Sequence, residues 1–550
     1  MKLKTPSLCL KKEQRLIFRK KNSDINDVNV KKLLSIILFF LFLSGLAYSS
    51  SAEEQAQEYL KKLSLEEKVG QLFMVGLRET KLTQETIAHF KKYPFQNFIL
   101  FSHNINDAAQ AKQLLTDLKK ISPHPLFLAT DQEGGDIVRI KEREYRTPSA
   151  MALGATKDPK LVYETAFNLG HKMKELGFNL NLAPVLDINS NNNDSVMGNR
   201  SFGNTPEMVS EMGKEFIRGL QEAGISAAAK HFPGHGNSLG DSHQGISRIP
   251  YSFDKLKNID LVPFKEAIKN DVDVIMTAHV TFPGEELPVT LSPKYLQTLL
   301  RKELEFKGIV LSDDLEMGAI LKKYGLQKGV EMSFLAGSDM MMVTGKKSTQ
   351  REAFNAILQA IKQKRISEER LNESVKRILT IKLKRLEQSE KTSRIPSSDL
   401  NKTIAYKAFT IIHKKENYRE LLNPHKKILI LTTHYVFFKE AKKFFPKATF
   451  KYLKQFPTGG EETELLSELE KTSKNYDAII VGFTKSSHAK IVEKMTAQLK
   501  NPIISVSFSA PNFEVSLEKS ALFVCIYDHN IEAFRTVVSF LRGTYSPPPS

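Results

Sequence analysis

The chain has 550 residues, of which 41% are hydrophobic and 26% are charged, so it is globular rather than disordered and long enough for two domains. Its formal net charge of +18 comes from 80 Lys and Arg against 62 Asp and Glu. A basic surface can meet an anionic polymer, but no basic stripe interleaved with aromatic residues occurs, which argues against nucleic-acid binding. Cys9 precedes the export signal predicted below, so Cys525 is the one thiol expected in the mature chain, without an internal disulfide.

An uncharged segment near the N-terminus predicts export. Residues 33–52 carry no charge, two lysines precede them, and small residues end them. The apolar centre at residues 36–43 is short for a membrane span, which needs about 20 residues, and it is typical of a signal peptide. We therefore expect residues 1–52 to be an N-terminal extension with a signal peptide, and the protein to be exported to the periplasm or cell envelope of a bacterium. An uncleaved signal would instead associate with the membrane through residues 33–48.

Eight apolar, strand-like segments alternate with helical patterns in the region 53–386. They are residues 71–77, 98–101, 125–131, 180–187, 225–232, 273–280, 308–314 and 339–345. Such alternation predicts parallel strands joined by crossover helices, and eight strands predict a TIM-type (β/α)8 barrel as the catalytic domain. Polar residues gather where these segments end, which is the face at which barrel enzymes carry their active sites.

The remainder of the chain predicts a linker and a second domain. Residues 387–402 are polar and interrupted by Pro396, which is typical of a linker. In the region 403–550, four apolar segments alternate with helical patterns and predict a smaller α/β domain with a mostly parallel sheet. The four segments are residues 427–434, 477–484, 502–509 and 521–527. The predicted fold class is therefore α/β, a barrel followed by a smaller α/β sandwich domain.

The segment KHFPGHGNSLGDSH, residues 230–243, concentrates three histidines, an aspartate and three glycines. These are metal-ligand types, but Pro233 and the glycines predict a loop and no H-E-x-x-H signature is present, which disfavours a metal site. Asp241 and His243 stand two residues apart, so in an extended loop the carboxylate can orient the imidazole as an acid/base. Asp313, at the end of a predicted strand, is placed to act as the nucleophile of retaining glycoside hydrolysis.

Five motifs together resemble glycoside hydrolase family 3, and more closely its β-N-acetylglucosaminidase (NagZ-like) branch. They are DQEGG at 131–135, APVLD at 183–187, NRSF at 199–202, KHFPGHG-x4-DSH at 230–243 and SDDLEM at 312–317. The resemblance implies that Asp313 is the nucleophile that forms a covalent glycosyl-enzyme. It further implies that His243 is the general acid/base and that Asp241 orients it.

The resemblance also implies which residues hold the N-acetylglucosamine before the scissile bond, namely Asp131, Arg139, Arg200, Lys230 and His231. Carboxylates can accept hydrogen bonds from sugar hydroxyls, while Lys and Arg donate to hydroxyls and to the acetamido carbonyl. No cofactor and no metal are expected. Asp136 departs from the family pattern, which commonly has Arg at this position, and it leaves the aglycone preference open.

Several of these residues have a structural alternative. Asp131 and Asp313 could be buried strand-end carboxylates, and Arg139 and Arg200 could form structural ion pairs. Three neighbours are expected to be structural: His235 as a hydrogen bonder within its loop, His279 as a barrel histidine with satisfied hydrogen bonds, and Asp314 as the cap of the next helix.

The sequence thus predicts a retaining exo-β-N-acetylglucosaminidase, of the β-N-acetylhexosaminidase type. Its expected substrates are peptidoglycan fragments, which would place it in cell-wall recycling, or chitooligosaccharides. A β-glycosidase of other sugar specificity, a β-N-acetylglucosamine phosphorylase and a non-catalytic envelope sugar-binding protein stay open as alternatives. The second domain resembles the α/β sandwich of two-domain family members, some of which draw a catalytic acid from it. With Asp241 and His243 present, no such contribution is expected.

Overall fold

The computed structural model describes residues 51–189, 197–236, 238, 246–391, 400–455, 457–511 and 515–547. The predicted signal peptide, Asp241, His243 and residues 392–399 of the predicted linker lie outside the described residues. From Ala56 onward the chain forms one compact unit, which contains both the barrel and the C-terminal sheet. The predicted domain boundaries at residues 52, 386 and 402 stay predictions. Across the described residues, no helix combines the length and apolar character needed to cross a membrane.

Eight parallel strands close into a barrel, as predicted. The barrel strands are β1 (Phe73–Gly76), β2 (Asn97–Leu100), β3 (Phe127–Thr130), β4 (Leu180–Asn181), β5 (Ser226–Phe232), β7 (Val274–Thr277), β9 (Ile309–Asp314) and β10 (Met340–Val343). Their order around the barrel is β1-β10-β9-β7-β5-β4-β3-β2. Seven of these strands fall within a predicted segment, and β2 begins one residue before its segment, 98–101. Two short strands that were not predicted, β6 (Ser247–Arg248) and β8 (Val280–Thr281), pair with each other outside the barrel.

The barrel strands are buried on both faces, since side chains fill the interior and helices cover the outside. The α-helices of this part are Ala52–Leu60, Leu65–Gln71, Gln84–Lys92, Ala108–Ile121, Ala150–Ala155, Pro159–Leu176, Pro206–Glu222, Phe253–Asn258, Leu261–Lys269, Gly318–Tyr324, Leu326–Ala336, Lys347–Lys362 and Glu368–Lys391. A π-helix, Lys294–Glu303, follows β8. Short 3-10 helices are Ser102–Asn104, Arg143–Tyr145, Gly198–Arg200 and Val289–Leu291.

The helices Pro159–Leu176 and Pro206–Glu222 precede strands β4 and β5, and capping residues in the sequence determine where these helices begin. Both have Pro as their first residue, which the first turn tolerates because its N–H groups have no intrahelical partner. The N–H groups of Lys160 and Leu161 donate to the Asp158 carboxylate at 3.1 and 3.4 Å. The N–H of Met208 likewise donates to the Thr205 hydroxyl at 3.3 Å. These caps fix the starts of the two crossovers between the strands that carry the site.

The C-terminal region forms a six-stranded sheet in the order β11-β16-β15-β14-β12-β13. The strands are β11 (Thr410–Lys414), β12 (Ile428–Thr432), β13 (Thr449–Tyr452), β14 (Ala478–Phe483), β15 (Ile503–Ser507) and β16 (Leu522–Cys525). All neighbours are parallel except β11, which runs antiparallel to β16. The helices are Leu400–Ala408, Tyr435–Lys442, Gly459–Thr472, Ser486–Gln498 and Ile531–Leu541, with 3-10 turns at Tyr418–Leu422 and Ser473–Asn475.

The four predicted strands of this sheet correspond to β12, β14, β15 and β16, and successive residues of these strands point to two separate apolar clusters. Ile428 and Ile430 belong to one cluster, and Leu429 and Leu431 to the other, so the sheet is covered on both faces. The edge strands β11 and β13 were not predicted. They are partly exposed and lack the continuous apolar run that marks a buried strand.

Candidate active site

The carboxyl ends of three barrel strands bring predicted site residues together. Asp131 follows β3 directly, Lys230 and His231 lie in β5, and Asp313 lies in β9. Lys230 Nζ is 2.8 Å from Asp131 Oδ1, and His231 and Lys230 both lower the pKa of the Asp313 carboxyl. This is the face at which barrel enzymes carry their active sites.

A buried network of charges connects three segments at this face: the loop after β3, the turn Gly198–Arg200 and strand β5. Lys230 Nζ lies 2.6 Å from Glu133 Oε1 in addition to its contact with Asp131. The guanidinium of Arg200 donates to both Glu133 oxygens, Nε to Oε2 and Nη2 to Oε1, each at 2.8 Å. Arg139 Nη2 donates to Asp131 Oδ2 at 3.3 Å. Removing one partner would leave another charge buried without compensation, so the network fixes all of these side chains.

Three members of this network, Glu133, Lys230 and Arg200, are held in their charged forms by one another. Burial alone would raise the pKa of Glu133, but the charges of Arg200 and Lys230 outweigh it and hold that pKa well below its ordinary value. Burial alone would lower the pKa of Lys230, but the charges of Asp131 and Glu133 outweigh it and raise that pKa. Burial would likewise lower the pKa of Arg200, but the charge of Glu133 raises it. The site therefore presents fixed cations and anions together, which suits a ligand rich in hydroxyl and amide groups.

Asp187 holds the start of the segment that leads to Asp241 and His243. The Asp187 carboxylate is fully buried. Its Oδ2 lies 2.7 Å from His231 Nδ1, and its Oδ1 accepts a hydrogen bond from the backbone N–H of His235 at 2.6 Å. Gly236 packs so closely that a Cβ there would lie 2.1 Å from the carbonyl oxygen of Ile188, so only glycine fits. His235 Nδ1 is 2.8 Å from Ser238 Oγ. This contact and the hydrogen bond from the His235 N–H to Asp187 confirm that His235 stabilises its loop, as expected.

Asp313 and Asp314 are adjacent but differ in ionisation. Burial would raise the pKa of Asp313, but the charges of His279, His231 and Lys230 hold it below its ordinary value, so this partly exposed carboxylate is ionised. Burial raises the pKa of Asp314 to about 6, and the neighbouring acids Glu316 and Asp313 add to the rise. An ionised carboxylate at a strand end is the form a nucleophile needs.

His279 and Asp314, both expected to be structural, make hydrogen bonds beside the site. His279 is fully buried, with Nδ1 2.9 Å from the Thr290 hydroxyl and Nε2 3.0 Å from the carbonyl oxygen of Asp314, so it is the satisfied barrel histidine that was expected. Asp314 accepts from the N–H of Glu316 at 3.0 Å. The following helix begins only at Gly318, so Asp314 caps the turn before it and the prediction of a helix cap was wrong in this detail.

The structure brings six of the eight predicted site residues to this face: Asp131, Arg139, Arg200, Lys230, His231 and Asp313. The other two, Asp241 and His243, lie outside the described residues. Arg139 and Arg200 form ion pairs, which fits a structural role as well as a binding one. No group of three or more metal-ligating residues is arranged for a metal ion in the described ranges, which leaves out residues 239–245.

Sequence reasoning missed two acidic residues of the site. Glu133 pairs with both Lys230 and Arg200, and Asp187 orients His231 and the loop behind it. Both lie inside motifs that were recognised, DQEGG and APVLD. An acidic residue inside a motif that follows a barrel strand was the signal that could have identified them.

A cavity of about 1340 Å³ opens beside this face, between the barrel and the carboxyl edge of the C-terminal sheet. Its barrel wall includes Asp136, Asn199 and Arg200, and its other wall includes His434 and His529. Asp131, Lys230 and Asp313 are not among its lining residues, so the cavity adjoins the charge network through Arg200. Among the lining residues, Asp136 is the sole acid and six are Lys or Arg: Lys157, Arg200, Lys407, Lys414, Arg419 and Lys485.

Comparisons with known proteins agree with this geometry. Residues 64–381 match the family described as "Glycosyl hydrolase family 3 N terminal domain". Beta-hexosaminidase A of Pseudoalteromonas piscicida is 34% identical over 351 residues, which are 58% of this chain and 58% of that protein. A solved glycoside hydrolase family 3 beta-N-acetylglucosaminidase from Paenibacillus sp. str. FPU-7 superposes with a TM-score of 0.79 and 30% identity, over 88% of this chain and 98% of that one.

NagZ from Neisseria gonorrhoeae, solved in complex with N-trifluoroacetyl-D-glucosamine, superposes with a TM-score of 0.50 and 28% identity, over 56% of this chain and 89% of that one. The matched region thus spans little more than half of the Pseudoalteromonas protein but nearly all of the Paenibacillus structure.

Proposed function

Since the chain belongs to glycosyl hydrolase family 3, we propose that it is an exo-acting β-N-acetylglucosaminidase that works by a two-step retaining mechanism. The family resemblance and the α/β fold expected from the sequence are confirmed. The observation that carries the proposal is the ionised Asp313 next to the buried network of Asp131, Lys230, Glu133 and Arg200. The names of its relatives, beta-hexosaminidase and beta-N-acetylglucosaminidase, support the same reaction class.

The proposed chemistry follows from these groups. Asp131 and Lys230 take the sugar hydroxyls, and the arginines donate to its polar groups, which positions the anomeric carbon over Asp313. The Asp313 carboxylate attacks that carbon while His243, oriented by Asp241, protonates the departing oxygen. Water then attacks the glycosyl-aspartate, and the same imidazole removes its proton, so the anomeric configuration is retained.

We further propose that the substrates are peptidoglycan fragments rather than neutral chitooligosaccharides. The cavity beside the site is lined by six Lys or Arg and one acid, and two of the six, Arg200 and Lys407, are paired with the carboxylates of Glu133 and Asp158 behind the lining. Peptidoglycan fragments carry carboxylates on the lactyl ether and on the peptide stem, whereas chitooligosaccharides carry none. A cationic cavity next to the sugar site favours an anionic leaving portion.

Export belongs to the same proposal. The uncharged residues 33–52 support a periplasmic or cell-envelope location, where peptidoglycan turnover takes place. Cell-wall recycling is then the process that the enzyme serves.

The test is sugar release from an aryl β-N-acetylglucosaminide, beside the aryl β-glucoside and β-xyloside, with and without inorganic phosphate. We expect free N-acetylglucosamine from the first substrate, at a rate that phosphate does not change. Preference for the glucoside or xyloside would contradict the sugar specificity. Formation of N-acetylglucosamine 1-phosphate would show a phosphorylase, and no turnover of any substrate would favour a sugar-binding protein.

A further inference from the structure

The loop from Asp131 to Ser149, here called the DQEGG loop, carries Asp131 and Glu133 of the charge network and folds back on itself. Glu133 and Gly134 each donate their N–H to the carbonyl oxygen of Ile137, at 3.0 and 3.3 Å, and the N–H of Gly135 donates to Thr147 at 3.1 Å. Gly134 and Gly135 have φ of +97° and +56°, which a side chain rarely adopts. Asp136 therefore stands at the tip of a tight turn, three residues from Glu133.

A segment of the C-terminal domain contacts this loop in two places, at the turn that carries Asp136 and at its last residue, Ser149. The segment, Tyr527 to Asn530, connects β16 to the helix Ile531–Leu541. At the tip of the loop, His529 Nδ1 lies 3.2 Å from Asp136 Oδ1. At the end of the loop, Ser149 donates its N–H to Asp528 Oδ2 and its hydroxyl to the carbonyl oxygen of Tyr527, both at 2.7 Å.

The contacting segment is itself fixed. Asp528 Oδ1 accepts from the N–H groups of His529 and Asn530 at 2.6 and 2.9 Å. Asn530 caps the following helix by accepting from the N–H of Ala533 at 2.9 Å. The ring of His529 stacks on that of His434, with centroids 4.9 Å apart and planes 16° apart. His529 is thus held in place by its own segment at the point where it meets the DQEGG loop.

We infer that Asp136 and His529 are positioning residues through which the C-terminal domain sets the placement of Glu133 and Asp131 in the sugar site. A displacement of Asp136 passes to Glu133 through the Ile137 hydrogen bonds, and from Glu133 to Lys230 and Arg200. The C-terminal domain then takes part in catalysis without supplying a catalytic residue. This inference rests on the proposed function, because it assigns the network to sugar binding.

The test compares Asp136→Asn, His529→Ala and the double variant Asp136→His/His529→Asp, in which the two residues exchange places. The Asp136 side chain is 56% exposed and Asn has the same shape, so the fold should survive. We expect each single variant to raise KM for an aryl β-N-acetylglucosaminide by about 2- to 5-fold, the size expected for the loss of one partly exposed polar contact, with kcat nearly unchanged. The double variant should restore most of the lost affinity.

The matched control is Glu468→Gln. Its side chain is 51% exposed and pairs with Lys451 at 2.6 Å in the same domain, and it contacts neither the DQEGG loop nor the cavity. This variant should leave KM unchanged. If it raises KM as much as Asp136→Asn does, or if neither single variant raises KM, the inference is wrong.

Amide hydrogen exchange gives a second readout that does not need activity. The N–H groups of Gly135 and Ile137, both hydrogen-bonded within the loop, should exchange faster in the single variants and return to wild-type rates in the double variant. A wild type that hydrolyses no N-acetylglucosaminide would refute the proposed function, whereas unchanged exchange in both single variants would refute the positioning pair.

Discussion

At the scale of single residues, Asp313 and Asp314 show how environment separates two identical side chains. Asp313 faces positive charges and stays ionised, whereas Asp314 faces other acids and receives a hydrogen bond from Thr344. The one is suited to attack a carbon atom, and the other holds the turn before the next helix. Each role leads to a different measurable property.

The raised pKa of Asp314 predicts a pH effect on stability. Its pKa rises from an ordinary value of 3.8 to about 6, so the folded state binds its proton more tightly than the unfolded state does. The stability that this proton contributes is fully present below pH 3.8 and is lost as pH rises through 6. Asp314→Asn should therefore gain stability relative to the wild type between about pH 4 and 7, by up to roughly 3 kcal/mol.

Denaturant unfolding at both ends of that pH range measures this difference. Because other groups titrate in wild type and variant alike, the comparison isolates Asp314. A difference that does not change with pH would contradict the raised pKa.

The proposed role of His243 predicts a dependence on the leaving group. A nitrophenol needs little protonation to depart, whereas a sugar alcohol needs much, so His243→Ala should slow disaccharide cleavage by about 10²–10⁴-fold and dinitrophenyl glycoside cleavage much less. Asp241→Ala should show a milder version, since the imidazole remains but loses its orienting carboxylate. Steady-state rates over a series of aryl leaving groups check this. Equal losses across the series would mean that His243 only positions the sugar.

At the scale of secondary-structure elements, one buried carboxylate joins strands β9 and β10 to the helix Glu368–Lys391. Asp339 is fully buried, accepts from Arg377 Nη1 at 2.9 Å and from Ser374 Oγ at 2.6 Å, and contacts Arg301. It also accepts from the N–H of Val310 in β9 at 2.9 Å. This anchor lies at the amino end of the strands, away from the site, so it serves stability rather than chemistry.

Asp339→Ala is therefore expected to lower the free energy of unfolding by about 3–5 kcal/mol, because it leaves buried arginines without a partner. Glu373→Ala is the control, since that exposed carboxylate lies 4.0 Å from the same Arg377 and should cost less than about 1 kcal/mol. Denaturant unfolding of both variants gives the comparison. Similar small losses would show that Asp339 is not the anchor.

At the scale of the whole molecule, the sequence predicted the parts that depend on local pattern. The eight barrel strands are apolar runs buried on both faces, and each was found. The edge strands β11 and β13 were missed because partly exposed strands carry no such run. The bond from Ser149 to Asp528 could not be predicted, since it spans 379 residues and involves a backbone N–H that leaves no trace in the sequence.

The cationic cavity predicts that substrate charge matters. The value of kcat/KM should be higher for a disaccharide of N-acetylglucosamine linked to N-acetylmuramic acid than for chitobiose. The advantage should shrink as salt is raised from low ionic strength to about 0.5 M, where charges about 4 Å apart or more are screened. Neutral substrates should show little dependence on salt. Equal values for both disaccharides at low salt would contradict the proposed substrate class.

The central claim is that Asp313 forms a covalent bond to the sugar, and mass mapping after reaction with a fluorinated N-acetylglucosaminide inactivator tests it most directly. We expect a single glycosyl label on Asp313 in the wild type. In Asp313→Asn, which keeps the shape but not the charge, the label should be absent and turnover reduced on the order of 10³-fold or more with the fold intact. A label on Asp314 or Glu316, or full activity in the Asn variant, would contradict the account.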